Sequence, residues 1–250
     1  MKKYELTNET KTLAGGTVLH RIRALRDIPR FGVNAGELGG FVEEENNLSQ
    51  DGNAWVSGDA KVFGNAYVSD YAWVSGYAWV SGYAWVSGDA WVYGDAWVSG
   101  DAKIFGNAEV SGYAKVSDYA RVSGDAWVFG DAWVSGNAKV SGNACVSGNA
   151  CVSGDAWVSG DAEVSGDAEV SANSDYMVVK NIWSSGRWFT YTRSNKKWSV
   201  GCFYGTGEEL IKKAYADSEL SGKCYEAIVH AVETIEAAKA EAKGEANGSK

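Results

Sequence analysis

Residues able to make or break bonds are sparse in this 250-residue chain. A general base or a zinc site draws first on histidine, and the histidines here are His20 and His230. The cysteines are Cys145, Cys151, Cys202 and Cys224, with no C-x-x-C spacing. Neither a metal site nor a dithiol pair is expected from them, and they read as reduced thiols of a cytosolic chain. What the chain offers instead is the chemistry of contact. Toward the C-terminus Trp183, Arg187, Trp188, Tyr191, Arg193, Lys196, Lys197 and Trp198 interleave rings with cations, as sites for phosphate or nucleotide ligands do. A solvated basic face on a hairpin is the plainer reading of the same residues. A helix opening near Gly205 and Gly207 could add an anion site at its N-terminus.

The remaining tryptophans belong to a repeat. Alanine recurs every six residues from Ala54 to Ala168, (168 − 54)/6 + 1 or 20 times in succession. Two residues after each comes Val, or Ile104 once. Four after comes Gly, except at Asp70, Asp118 and Ala172, and five after comes Asp, Asn or Tyr. Ala and Val, two apart, point to the same side of a strand, which must be the interior. Gly followed by Asp or Asn suits a tight corner with φ > 0, and Asp is among the few residues able to replace that glycine. Each hexad is thus a short strand plus a corner, and only stacking of coils can bury its apolar face. With three hexads per coil, residues 18 apart stack at the strand spacing of about 4.8 Å.

Rotated to begin at valine, the unit reads V-S-G-D-A-W, and over residues 54–173 it resembles the hexapeptide of left-handed parallel β-helices. The left hand is implied by that family, since the general crossover rule favours a right-handed connection. Upstream, Gly36, Val42 and Leu48 fall in the alanine phase and Leu38 in the valine phase, with Glu44 and Gln50 at valine places. The stretch G-E-L-G-G-F-V-E-E-E-N-N-L-S resembles the first coil of uncharacterised hexapeptide-repeat proteins of bacterial and phage genomes. Counted from Gly36, the repeat would hold (168 − 36)/6 + 1 or 23 hexads. The family's enzymes, acyl-CoA-dependent acyltransferases and a zinc carbonic anhydrase, use histidine as base or ligand. The transferases also insert a loop between coils. Residues 54–173 have neither histidine nor insertion, so no catalytic residue, metal or cofactor is expected.

The residues after each alanine face outward and sort into three columns. The first holds Trp55, Trp73, Trp91, Glu109, Trp127, Cys145 and Glu163. The second holds Lys61, Trp79, Trp97, Lys115, Trp133, Cys151 and Glu169. The third holds Tyr67, Trp85, Lys103, Arg121, Lys139 and Trp157. Nine outward tryptophans could be rings stacked up each column. They could equally be a self-association surface or a surface for another protein. Trp73, Trp79, Trp91 and Trp97 form the largest candidate patch. K-V-F-G-N-A at 61–66 returns as K-I-F-G-N-A at 103–108, 42 residues on. That is not a multiple of 18, so the copy lands on another face. The Asp and Asn corners read as ladders or a solvated edge.

Around the repeat, the sequence implies an N-terminal cap over residues 1–35, the β-helix over 36–173 and an α+β module over 174–250. Three β-rich runs, Y-M-V-V-K-N-I-W, R-W-F-T-Y-T-R and K-W-S-V-G-C-F-Y, are separated by S-S-G and S-N-K turns. A capping box at Thr206 begins a helix to about Ala216. Ser221 caps a second helix, with fraying expected after about Ala238. The start, M-K-K-Y-E-L, lacks the apolar run of a signal peptide, and no segment is long and apolar enough for a membrane helix. A cytoplasmic protein is expected. The formal charge of −9, from 23 basic and 32 acidic residues, argues against direct nucleic-acid binding.

These readings converge on a mainly β, non-catalytic structural or interaction protein. Its partner would be another protein or a second and third copy of itself. The alternatives are an inhibitor or sponge of phage type and a degenerate acyltransferase. The inhibitor would act by acidic charge mimicry, since residues 54–173 carry 14 acidic against 5 basic groups. Otherwise it would capture a nucleotide on the Trp183–Trp198 hairpin.

Overall fold

The computed structural model describes residues 2–248, with side chains through residue 241. The last two residues of the expected 174–250 module lie outside the described residues. Two units divide after Tyr176.

The first unit is a parallel β-solenoid. Its rungs are two-residue strands, one every six residues, from β4 (Trp55–Val56) to β23 (Glu169–Val170). They fall into three sheets, each joining every third rung: β4 to β22 (Glu163–Val164), β5 (Lys61–Val62) to β23, and β6 (Tyr67–Val68) to β21 (Trp157–Val158). Partners are 18 residues apart, as Trp73 with Trp91 and Val74 with Val92. The three outward columns are therefore the three sheets, here called first, second and third face. Twenty rungs at three per coil make just under seven coils.

The interior is made of alanine and valine alone over most of its length, all buried. Every edge of a coil is satisfied by the next one. Trp73 N donates to Ala90 O (2.9 Å), Ser75 N to Val92 O (2.9 Å) and Tyr77 N to Gly94 O (2.8 Å), and the pattern repeats along the solenoid. This regularity explains the small residues. At the corner, Gly112 has φ +66°, and a Cβ there would sit 3.0 Å from Gly130 N. Asp70 and Asp118 adopt the same left-handed conformation, φ 61° and 57°. Each carboxylate accepts a hydrogen bond from the glycine N–H one coil on, Gly88 and Gly136.

The N-terminal segment extends the second face. Strands β1 (Tyr4–Thr12) and β2 (Val18–Ala24) form an antiparallel hairpin. Strand β3 (Leu38–Val42) pairs antiparallel with β2 and parallel with β5 (Lys61–Val62). The upstream phase differs from the expectation. Val42 aligns with Val62 and Leu48 with Val68, a separation of 20 rather than 18. Val42 and Leu48 thus take valine places, and two extra residues precede Ala54. Leu38 is exposed, and the count of 23 hexads from Gly36 does not hold. Gly39 and Gly40 permit β3 to cross the first coil, since a Cβ on either would lie 2.5–2.7 Å from Val56 O or Ala60 O. Gln50 holds no valine place. Its amide accepts from Lys3 N (2.8 Å) and donates to Tyr4 O (3.2 Å), fastening the chain start.

The solenoid ends where side chains replace the missing next coil. Asn173 Oδ1 accepts from Trp157 N (2.6 Å) and Tyr176 Oη donates to Trp157 O (2.6 Å). Asp175 accepts from the N–H groups of Ser171 and Ala172, both 2.9 Å.

The second unit is a four-stranded sheet with two helices. The strands, in spatial order, are β24 (Tyr176–Lys180), β25 (Trp188–Thr192), β26 (Lys197–Val200) and β27 (Phe203–Gly205). Three strands were expected. The third run splits because Gly201, at φ +58°, turns the chain back so that Val200 pairs with Phe203. Helix α1 (Gly207–Asp217) carries the capping box, with Glu209 N to Thr206 Oγ1 3.2 Å and Thr206 N to Glu209 Oε2 2.8 Å. Helix α2 (Glu219–Gly248) begins earlier than expected. Its cap is Ser218, whose Oγ accepts from Ser221 N (3.1 Å). It continues past Ala238 to Gly248, because the Ala-, Glu- and Lys-rich tail consists mostly of strong helix formers. Phe189, Trp198, Val200, Leu210 and Val229 form the core between sheet and helices.

Candidate functional site

The strand aims each outward ring away from the core, and for four of the tryptophans the serine two residues on in the preceding coil receives the indole N–H. Trp73 donates to Ser57 Oγ (2.8 Å) and Trp157 to Ser141 Oγ (2.8 Å). Trp85 reaches Ser69 and Trp133 reaches Ser117, both at 3.3 Å. This Trp–Ser contact, always 16 residues apart, was missed in the sequence. Its signal is the coincidence of W and S in W-V-S with an 18-residue coil.

The structure brings the four candidate tryptophans together as two pairs, one on each of two adjacent faces. On the first face Trp73 and Trp91 meet edge to face, with centroids 5.1 Å apart. On the second, Trp79 and Trp97 are tilted at 5.7 Å. They are not equally available. Phe31 stacks on Trp73 at 5.2 Å, and Arg30 beside it pairs with Asp89, so the N-terminal segment covers that end. Trp55, beneath Tyr4, is fully buried. Phe63 meets the Trp79 edge at 5.7 Å. The open part of the patch is Trp91 and Trp97, 36% and 46% exposed, with Tyr77 exposed at a corner and Tyr93 in the serine place of its hexad. A shallow cleft of about 270 Å³ lies between Lys61, Tyr77, Trp79, Asp95 and Trp97.

Other outward groups are engaged in the solenoid itself. At the corners Asn107, Asn137 and Asn143 donate to Asp125, Asp155 and Asp161 one coil on, at 2.8–3.0 Å. These are the expected ladders. Cys145 and Cys151 are half-buried on the first and second faces, and burial pushes both thiols up. His20 lies in β2 with Nδ1 3.3 Å from Thr7 O, and His230 lies on α2.

The C-terminal candidates scatter. Trp183 and Arg187 are exposed in the turn between β24 and β25, and Trp188 is exposed at the start of β25 under the Lys180 ammonium (5.0 Å). Arg193 is ion-paired with Glu236 at 2.8 Å, and Lys197 is half-buried. Trp198 is a core residue, packed on Phe189 and Tyr191. The eight residues therefore do not make one aromatic–basic surface, because alternation along β25 and β26 sends their members to opposite faces. The helix opening at Gly207 is occupied by the Glu209 carboxylate, so it offers no anion site. A groove not foreseen in the sequence, about 600 Å³ and almost wholly apolar, lies between β24 and α2. Met177, Val179, Trp183, Cys224, Ile228 and Ile235 line it.

Rungs in register, glycine corners and a three-sheet interior define a parallel β-solenoid repeat protein. Residues 120–136, just short of one coil, match the family model of the YdcK β-solenoid repeat. Among curated proteins, none matches the chain. No helix among the described residues is long and apolar enough to cross a membrane.

Proposed function

We propose that this chain is a non-catalytic interaction protein whose solenoid holds an aromatic surface for another protein or for further copies of itself. The observation that carries this reading is the set of open rings Trp91 and Trp97, on adjacent faces of one coil, with Tyr77 and Tyr93 also exposed. Contiguous exposed aromatic area of this kind is unusual on a monomer, and Trp and Tyr are the residues that carry binding energy at interfaces. The frame suits that task, since each ring is held by the strand and, where present, by an indole–serine bond, so little entropy is lost on binding. In this reading the His-free repeat is a scaffold, with no bond-making step assigned to it. The surface is tested with Trp91→Ser/Trp97→Ser. The expected result is a folded protein that no longer captures its partner or its own untagged copies. Capture at the wild-type level would refute the assignment.

A further inference from the structure

The third face carries a feature that the other two lack. Lys103, Arg121 and Lys139 occupy adjacent rungs in direct register, bracketed by Trp85 and Trp157. Neither of the other outward columns sets like charges on adjacent rungs. Like charges directly opposite in a sheet are destabilising, and at about 4.8 Å per rung this row repels itself. The outer two cations draw apart: Lys103 lies over the Trp85 ring at 5.7 Å and Lys139 over the Trp157 ring at 5.8 Å. Arg121 stands exposed between them. Of the corner carboxylates near the row, Asp118 accepts from Gly136 N and Asp125 from Asn107, while Asp101 flanks Lys103. A cleft of about 310 Å³ opens beside the row, lined by Trp85, Ser87, Lys103, Phe105 and Arg121.

We infer that this column binds an extended acidic segment of another protein, with carboxylates over Lys103, Arg121 and Lys139 and apolar side chains over Trp85 and Trp157. The row offers cations at its centre and rings at its ends, so it complements a short acidic run with apolar flanks. A phosphodiester strand is charged at every unit and would extend beyond the row. There the field of a solenoid with 14 acidic against 5 basic groups repels it. The site lies on a different face from Trp91 and Trp97 and does not depend on the reading given to them.

The test uses the full chain and fluorescence anisotropy. The probes are a labelled oligoglutamate peptide flanked by phenylalanines, its glutamine counterpart, and a labelled oligothymidine. The oligoglutamate peptide should bind, and its affinity should fall as salt shortens the screening length. The glutamine peptide should bind at least about tenfold more weakly, a difference of about 1.4 kcal/mol. Arg121→Glu should weaken the oligoglutamate complex by about tenfold or more while melting no lower than wild type. The fold accepts glutamate at the equivalent place, Glu109, on the first face, and the reversal removes two like-charge neighbours. Lys115→Glu, the same charge change on the second face, should leave the peptide complex intact. Preference for oligothymidine, indifference to Arg121→Glu, or equal loss with Lys115→Glu would each overturn the assignment. So would a lowered melting temperature of Arg121→Glu, which would make the row a stabilising element.

Discussion

At the scale of the residue, the solenoid depends on side chains that make one contact across a coil boundary. Ser57 is such a residue, receiving the Trp73 indole at 2.8 Å. Ser57→Ala should cost about 1 kcal/mol, read as a lower urea midpoint with unchanged slope. Lys3 is another. It is fully buried, with its ammonium donating to Ala54 O at 2.7 Å. Burial, with the neighbouring Arg26, holds its pKa down to about 7 from an ordinary 10.5. Between those values the unfolded chain binds the proton more tightly than the folded one, so stability should rise with pH. Lys3→Met should remove that rise. Melting temperatures at pH 7 and pH 9 decide it: a wild-type increase equal to the variant's would exclude Lys3 as its source. Such contacts were only partly legible in the sequence. The inward Ala–Val pair and the left-handed Asp70 and Asp118 follow from spacing and residue type. The Trp–Ser bond and the Arg193–Glu236 pair need the coil length and the packing of α2.

At the scale of the element, the hexad was legible because the same short-range constraint returns twenty times. The corner illustrates its strictness. Gly112→Ala places a Cβ 3.0 Å from Gly130 N in a left-handed conformation, which should cost about 1–2 kcal/mol for the backbone alone. Gly160→Ala is the control. It has a similar φ of +69° but nothing within 4 Å of its Cβ, and it should lose less. Equal losses would mean that coil-to-coil contact adds nothing. Where no repetition disciplines the reading, it slipped. The two residues inserted before Ala54 moved Val42 and Leu48 into valine places, a shift that a six-residue count cannot reveal. Gly201 divided one β-rich run into β26 and β27. Ser218, not Ser221, caps α2, because two serines three residues apart offer the same local signal and α1 decides which is used.

At the scale of the whole molecule, alanine and valine fill an interior with no place for charge. Val92→Asp should cost about 4 kcal/mol or more, the range of a buried unpaired charge, and circular dichroism should show unfolding of the repeat. An unchanged melting curve would contradict the inward assignment of valine. The aromatic candidates were legible as columns, since position in the hexad dictates the face. Their accessibility was not, because Tyr4 and Phe31, which cover Trp55 and Trp73, come from the non-repeating segment. The C-terminal candidates failed as a group for the complementary reason. The sequence shows their interleaving, but Trp198 faces the helices and completes a core.

The most direct measurement is capture by tagged full-length protein, wild type against Trp91→Ser/Trp97→Ser, in lysate supplemented with the untagged chain. Melting temperatures of both proteins are recorded alongside. The aromatic-surface reading predicts that wild type retains either the untagged chain or a discrete partner. It predicts that the double variant retains neither, with a melting temperature within a few degrees of wild type. A variant that captures as well as wild type but melts far lower would contradict it. The rings would then be ladders that stabilise the solenoid rather than a surface that meets another protein.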